Sequence, residues 1–192
     1  ANPRELGVPK EESYVGRGIN YCAACDGMFY KDKVVAVVGG GNTAVADTLI
    51  LSRIAKKVYI IHRRDTLRAT KVYHKQLEAM ENVEFVWDST VTDLIVGDKV
   101  QGLNLKNLKT GEESQLEVDG VFVSIGRKPN VELVDGKVEL DKAGYIVADE
   151  STKTSIDGVF AVGDVRTKVL RQVVTAVSDG AVAVHYAEEF LA

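Results

Sequence analysis

Residues 34–51 read "VVAVVGGGNTAVADTLIL", and the reading of this stretch decides the fold. Val34–Val38 is an all-apolar run bounded by "YKDK" on one side and glycines on the other. That is the texture of a strand buried on both faces. Gly39-Gly40-Gly41-Asn42-Thr43-Ala44 follows as G-x-G-x-x-A, and residues 42–57 then carry apolar side chains at helical spacing. A strand, a glycine turn and a helix in that order form the corner on which dinucleotide phosphates rest. Gly39 allows the tight turn, Gly41 lets a pyrophosphate approach the backbone, and Ala44 lets helix and strand pack closely. The phosphates would sit on free N–H groups at the positive end of the helix, where Asn42 and Thr43 lie. A plain glycine turn is the other reading, and the strand before and helix after argue against it.

Outward from this corner the same alternation continues. "VYIIH" (58–62) reads as a second buried strand, residues 71–80 as a helix and "VEFVW" (83–87) as a third strand. This βαβαβ pattern predicts a parallel sheet with right-handed crossovers. Residues 89–126 then alternate apolar and polar around "GDK" and "KTGE" turns and return to an apolar strand, "VFVSI" (121–125), which predicts a small antiparallel meander. "GRKPN" (126–130) interrupts as a joint. Strand-like pieces over 131–165 end in "GVFAVGD", and an amphipathic helix is expected over residues 172–190. The expected class is α/β: a Rossmann-like parallel sheet with an antiparallel β-meander, then part of a second α/β domain.

The loop after the second strand points to the nucleotide. An NAD site places an acidic residue there, to bond the ribose 2′-hydroxyl. Here stand His62, Arg63 and Arg64, with Arg68 one turn on. Guanidinium groups bind a 2′-phosphate bidentately where a carboxylate would repel it. NADPH is therefore expected over NADH, against the alternative of a solvated charge run.

"YCAACDGMFY" (21–30) holds both cysteines of the chain, Cys22 and Cys25, with Asp26 next to them. Thiol–disulfide exchange needs one thiolate to attack, one to resolve and a proton for the leaving thiolate. The pair and its neighbouring acid supply all three. Two other readings stay open: half of a zinc site, and an unreactive buried pair. A structural zinc takes four ligands, and the three histidines, His62, His74 and His185, are scattered without ligand spacing. No metal is expected.

Composition narrows the field. The chain has 192 residues, 45% of them hydrophobic and 27% charged, with net charge −4. An acidic balance argues against a nucleic-acid or anionic-membrane surface, and no apolar run approaches the about 20 residues of a membrane span. With no basic-then-apolar leader and only two cysteines, the expected compartment is the cytoplasm. The chain opens Ala1-Asn2-Pro3 without a methionine and is expected to be part of something longer.

Taken together, "GRGINYCAACDGMFY", "VVGGGNTA", "HRRDTLRA", "SIGRKPN" and "GVFAVGDV…RQVVTAVSDGAVAV" resemble, in order and spacing, the low-molecular-weight bacterial thioredoxin reductases. The resemblance implies an FAD enzyme, a homodimer in its full-length form, passing electrons from NADPH through flavin and an active-site disulfide to thioredoxin. It implies that Cys25 faces the flavin, that Cys22 attacks thioredoxin and that Asp26 donates the proton. It also implies cofactor contacts at Ile125, Gly126 and Gly163. Asp164 would bond the ribityl chain, and Arg171, Gln172 and Val173 would meet the flavin at the start of the last helix. Where the family usually carries two acidic residues after the glycine turn, this chain has Ala46-Asp47. The family's separate N-terminal FAD-binding unit is not in this sequence. The expected organisation is a leader (1–13) belonging to the FAD domain, an NADPH domain (14–128) and the C-terminal part of the FAD domain (129–192). Nicotinamide and disulfide would share one domain and the flavin belong to the other, so a rotation about joints near 9–16 and 126–130 is expected. Two further functions compete: a flavoprotein reductase of a peroxiredoxin system, and a nucleotide-binding module without catalysis.

Overall fold

A run without polar side chains is stable only between two layers, and Val34–Val38 forms strand β3 with all but its first residue buried. The computed structural model describes residues 1–192. The chain divides into two compact units: residues 3–126, and residues 1–2 with 127–192. It passes between them at Asn2/Pro3 and at Gly126/Arg127. These two crossing segments are the short strands β1 (Asn2–Pro3) and β10 (Arg127–Lys128).

The first unit is built on a five-stranded sheet. Its strands are β2 (Ile19–Asn20), β3, β4 (Lys57–Ile61), β5 (Val83–Val86) and β9 (Gly120–Val123), in the order β2-β9-β3-β4-β5. Every neighbouring pair is parallel. Alternate side chains of a strand point to opposite faces, so β3 serves two cores at once. Val35 and Val37 pack with Phe122, Ala44 and Leu51 under helix α2 (Asn42–Leu51). Ala36 and Val38 pack with Val91, Leu94, Val100, Leu103 and Leu105 on the other face. Those last five belong to β6 (Ser89–Val96) and β7 (Val100–Asn107), which with β8 (Glu113–Glu117) form the expected antiparallel meander. The meander is thus the layer that covers the sheet opposite α2. The strand "VFVSI" enters the main sheet as β9, parallel and between β2 and β3.

Some expectations shift. The helix over 42–57 stops at Leu51. Ser52 Oγ donates to the Leu49 carbonyl, and Asn82 Nδ2 donates to the carbonyls of Ser52 and Ala55, so side chains take up the carbonyls of the unwound end. The helix over 71–80 is a 3₁₀ turn, Lys71–Tyr73, followed by α3 (His74–Glu78). Residues 3–13, expected to go with the other domain, lie within the first unit. Leu6 and Val8 pack against its core. The buried Glu11 carboxylate accepts from Leu6 N and Gly7 N, each at 2.9 Å, and from Tyr21 Oη at 3.0 Å. The stretch 9–16 is therefore clasped, and the crossing lies earlier, at Asn2/Pro3.

The second unit is mostly irregular. The strand-like pieces of 131–165 appear as isolated bridges such as Leu140 with Ile146 and Lys153 with Phe160. Val138, Ile146, Ala148 and Ala161 make a small core. Helix α4 (Val173–Leu191) buries a single residue, Asp179, and exposes Val173, Val174, Val177 and Leu191. No helix is long and apolar enough to cross a membrane.

Candidate functional site

The glycine turn sits where the parallel strands end, and its packing explains its composition. Gly39 has φ +148°, and a Cβ there would collide with the Ser124 carbonyl of the segment following β9. A Cβ on Gly40 would overlap the His62 ring, whereas one on Gly41 would meet only Arg68 Nη2 at 4.0 Å. Gly41 therefore faces open space beside a guanidinium. It is the N-cap of α2, and no side chain caps that helix, so first-turn N–H groups are left for a ligand. The Gly40 carbonyl accepts from Arg68 N (2.7 Å) and Ala69 N (3.1 Å), which ties the arginine loop to the turn.

Gly39, Gly40, His62, Arg63, Arg68 and Ile125 line one cleft of about 450 Å³, within the ordinary size of ligand pockets. The sequence reading did not name its other walls: Arg4 and Leu6 of the leader, and Ser89, Thr90 and Val91 of β6. These come from distant parts of the chain and carry no motif. Gly41, Asn42, Thr43, Ala44, Arg64 and Gly126 are not among the lining residues, and Asn42 is engaged, accepting from Thr70 N at 2.9 Å. Thr43 is exposed, and Ala44 is buried on the face of α2 that packs on the sheet. Asp47, in the pair that departs from the family, is buried and accepts from Ser124 Oγ.

The electrostatics of the cleft favour an anion. The one acid of the arginine loop, Asp65, is taken by Lys109 at 2.8 Å, and Lys109 also holds Asp88 at 3.0 Å. No ion pair involves Arg63, Arg64 or Arg68. His62 is 4% exposed and its Nε2 has no partner. Burial holds its imidazole below the ordinary histidine range, and Arg68, Arg63 and Arg64 push the same way against a hydrogen bond to the Thr66 backbone. An orphaned buried nitrogen, free cations and a turn without Cβ atoms fit a phosphorylated dinucleotide.

The cysteines come directly after the edge strand β2. Cys22 and Cys25 form a disulfide, with Cα atoms 5.3 Å apart. Cys22 is the N-cap of α1 (Ala23–Asp26), and its Sγ accepts from Cys25 N at 3.2 Å. Buried Ala23 roots this turn in the α2-side core. Tyr30 braces the 3₁₀ turn Gly27–Tyr30 beyond it. The Tyr30 ring meets Phe122 edge-on at 5.2 Å, and its hydroxyl accepts from Asn20 Nδ2 at 2.8 Å. Asp26 closes α1 half-buried, whereas Met28 and Phe29 are 68% and 73% exposed. The disulfide thus stands at the surface, on a turn anchored by its neighbours.

The remaining expected residues lie in the second unit. Gly163 and Asp164 form a 3₁₀ turn with Val165. Gly163 N donates to Asp179 Oδ2 at 2.8 Å, which fixes the turn to α4. Gln172 caps α4 in a capping box with Thr175, and Val173 is its exposed first residue. The Arg171 guanidinium lies 4.0 Å over the Tyr145 ring, and its Nε is buried without a partner. A held turn bearing a carboxylate and a guanidinium N–H lacking an acceptor fit the polar chain of a flavin.

The sequence matches the family model described as pyridine nucleotide-disulphide oxidoreductase over residues 1–180. A thioredoxin reductase of Streptomyces coelicolor is 48% identical over 190 residues, which are 98% of this chain and 59% of that protein. A thioredoxin reductase of Mycolicibacterium smegmatis is 46% identical, over 100% of this chain and 62% of its own length. Among solved structures, a thioredoxin reductase from Streptococcus pyogenes is 44% identical with TM-score 0.88, covering 100% of this chain and 63% of that one. The chain therefore spans about three fifths of the length of the curated relatives it matches. Because the family match extends across the glycine turn, the arginine loop and both cysteines into α4, the chain belongs to the pyridine nucleotide-disulphide oxidoreductase family.

Proposed function

We propose that this chain is the part of a cytoplasmic, homodimeric thioredoxin reductase that binds NADPH and carries its redox disulfide. The observation that carries the reading is the union, in one unit, of an arginine-lined dinucleotide cleft and an exposed Cys22–Cys25 disulfide. FAD, when bound, supplies the two-electron relay between NADPH and the disulfide. Asp164, Arg171, Gln172 and Val173 are the residues of this chain that would hold it, and Ile125 and Gly126 would border the nicotinamide.

The roles proposed for the protein groups follow from their chemistry. Arg63, Arg64 and Arg68 take the 2′-phosphate, and the N–H groups after Gly41 take the pyrophosphate. Two electrons break the Cys22–Cys25 bond, and two protons complete the dithiol. Asp26 holds the proton beside Cys25. The Cys22 thiolate then attacks the partner disulfide, and Cys25 displaces it, restoring the starting bond and releasing the partner as a dithiol.

The test is turnover of the complete protein with NADPH and purified thioredoxin, followed as NADPH absorbance. Cys22→Ser and Cys25→Ser are expected to stop it. Turnover with a peroxiredoxin-system partner but not with thioredoxin would replace the proposed substrate.

A further inference from the structure

Arg4 belongs to no sequence motif, yet it lines the dinucleotide cleft alongside Gly39, Gly40 and Ile125. Its place is set by the backbone: Arg4 N donates to the Gly126 carbonyl at 2.9 Å. Its side chain runs beside the same residue: Arg4 Cδ and Nε lie 3.7 and 3.8 Å from where a Cβ on Gly126 would stand. The leader that carries it is clasped by Glu11 within this same unit. No ion pair uses the Arg4 guanidinium, and the residue is exposed. A cation without a carboxylate, held at the mouth of a cleft, awaits an anion.

Topology decides which anion. Arg63 and Arg68 come after β4, so they flank the turn from the β4 side. Arg4 is tied to a residue in the segment after β9, and β9 lies on the other side of β3. The turn after β3, which would carry the pyrophosphate, lies between them. A dinucleotide with its 2′-phosphate on the β4 side extends its nicotinamide half toward the β9 side. We infer that Arg4 is a further dinucleotide-binding residue, a cation for the phosphate of the nicotinamide half. The inference rests on the dinucleotide reading above and adds the contact at its far end.

Binding by calorimetry tests it with no flavin and no turnover, using the 192-residue chain and two probes. NADPH carries both halves; 2′,5′-ADP carries only the adenosine half. Arg4→Gln is expected to weaken NADPH roughly tenfold, the usual size of one lost charge-assisted bond. The same variant should leave 2′,5′-ADP within about twofold of the parent chain, which also certifies its fold. Arg4→Lys should recover part of the NADPH affinity. Equal weakening of both probes, or no change in NADPH, would overturn the role assigned to Arg4. A parent chain that binds neither probe would instead overturn the dinucleotide reading, and the role of Arg4 with it.

Discussion

At the scale of single residues, the site is a set of exclusions as much as of contacts. Gly40 is required because the buried His62 ring fills the place of its missing Cβ. Gly40→Ala should destabilise the first unit by about 1–3 kcal/mol, the usual effect of overpacking. His62→Ala in the same chain should recover part of that loss, since it removes the colliding ring. A denaturant-melt cycle reads both, and strict additivity would show that the two residues do not oppose each other. The arginines make a separate prediction. Arg63→Ala with Arg64→Ala should weaken NADPH by roughly 1.5–3 kcal/mol per lost charge-assisted bond and leave NADH almost unchanged. Equal loss for both nucleotides would remove the 2′-phosphate role. The glycines, the arginines and the cysteine pair were legible in the sequence because each has a local reason to be there. Arg4, Ser89, Thr90 and the Asp47–Ser124 bond were not, since their partners arrive from distant strands.

At the scale of elements, two helices behave differently for one physical reason. Helix α2 docks through apolar side chains, and its pattern was readable; its end was not, because Asn82 from far along the chain takes up the carbonyls beyond Leu51. Helix α4 docks through charge. Asp179, 5% exposed, accepts from Arg166 at 2.7 and 2.9 Å and from Lys168 at 2.7 Å, with Arg166 itself 1% exposed. Arg166 holds the Asp179 carboxyl far below the usual carboxylate range; burial opposes this, while Lys168 and the Gly163 N–H reinforce it. A carboxyl with a depressed folded pKa stabilises fully above its unfolded value of about 3.9 and loses that contribution as pH falls further. Asp179→Asn should therefore lower stability by about 3 kcal/mol near neutral pH, as breaking a buried pair does. The gap to the parent chain should begin to narrow once the pH falls below about 3.9 and keep narrowing as the pH drops further, in acid melts followed by circular dichroism. A gap independent of pH would contradict this account. The exposed Val173, Val174, Val177 and Leu191 carry a further expectation. The isolated chain should bind a hydrophobic dye and self-associate with concentration, as exposed apolar side chains favour.

At the scale of the whole molecule, the expectation of a parallel sheet plus meander was met, because strand texture and turn residues are local signals. The place of the leader was not legible: nothing in "RELGVPKEE" announces that Glu11 will gather three donors and hold it to the first unit. For the complete protein we propose a rotation between units about the crossings at Asn2/Pro3 and Gly126/Arg127. Nicotinamide and disulfide are both assigned to the first unit and must each meet a flavin assigned to the second. A crosslink locking one orientation should stop turnover with thioredoxin and spare one half-reaction; full turnover in the locked protein would end the proposal. The central claim is that electrons from NADPH reach the disulfide of this unit. Its most direct measurement is mass-spectrometric alkylation of the complete, FAD-loaded protein before and after anaerobic addition of NADPH. The account predicts that Cys22 and Cys25 become labelled together with NADPH and far more slowly with NADH. Cysteines that stay unlabelled while the flavin is fully reduced would contradict it.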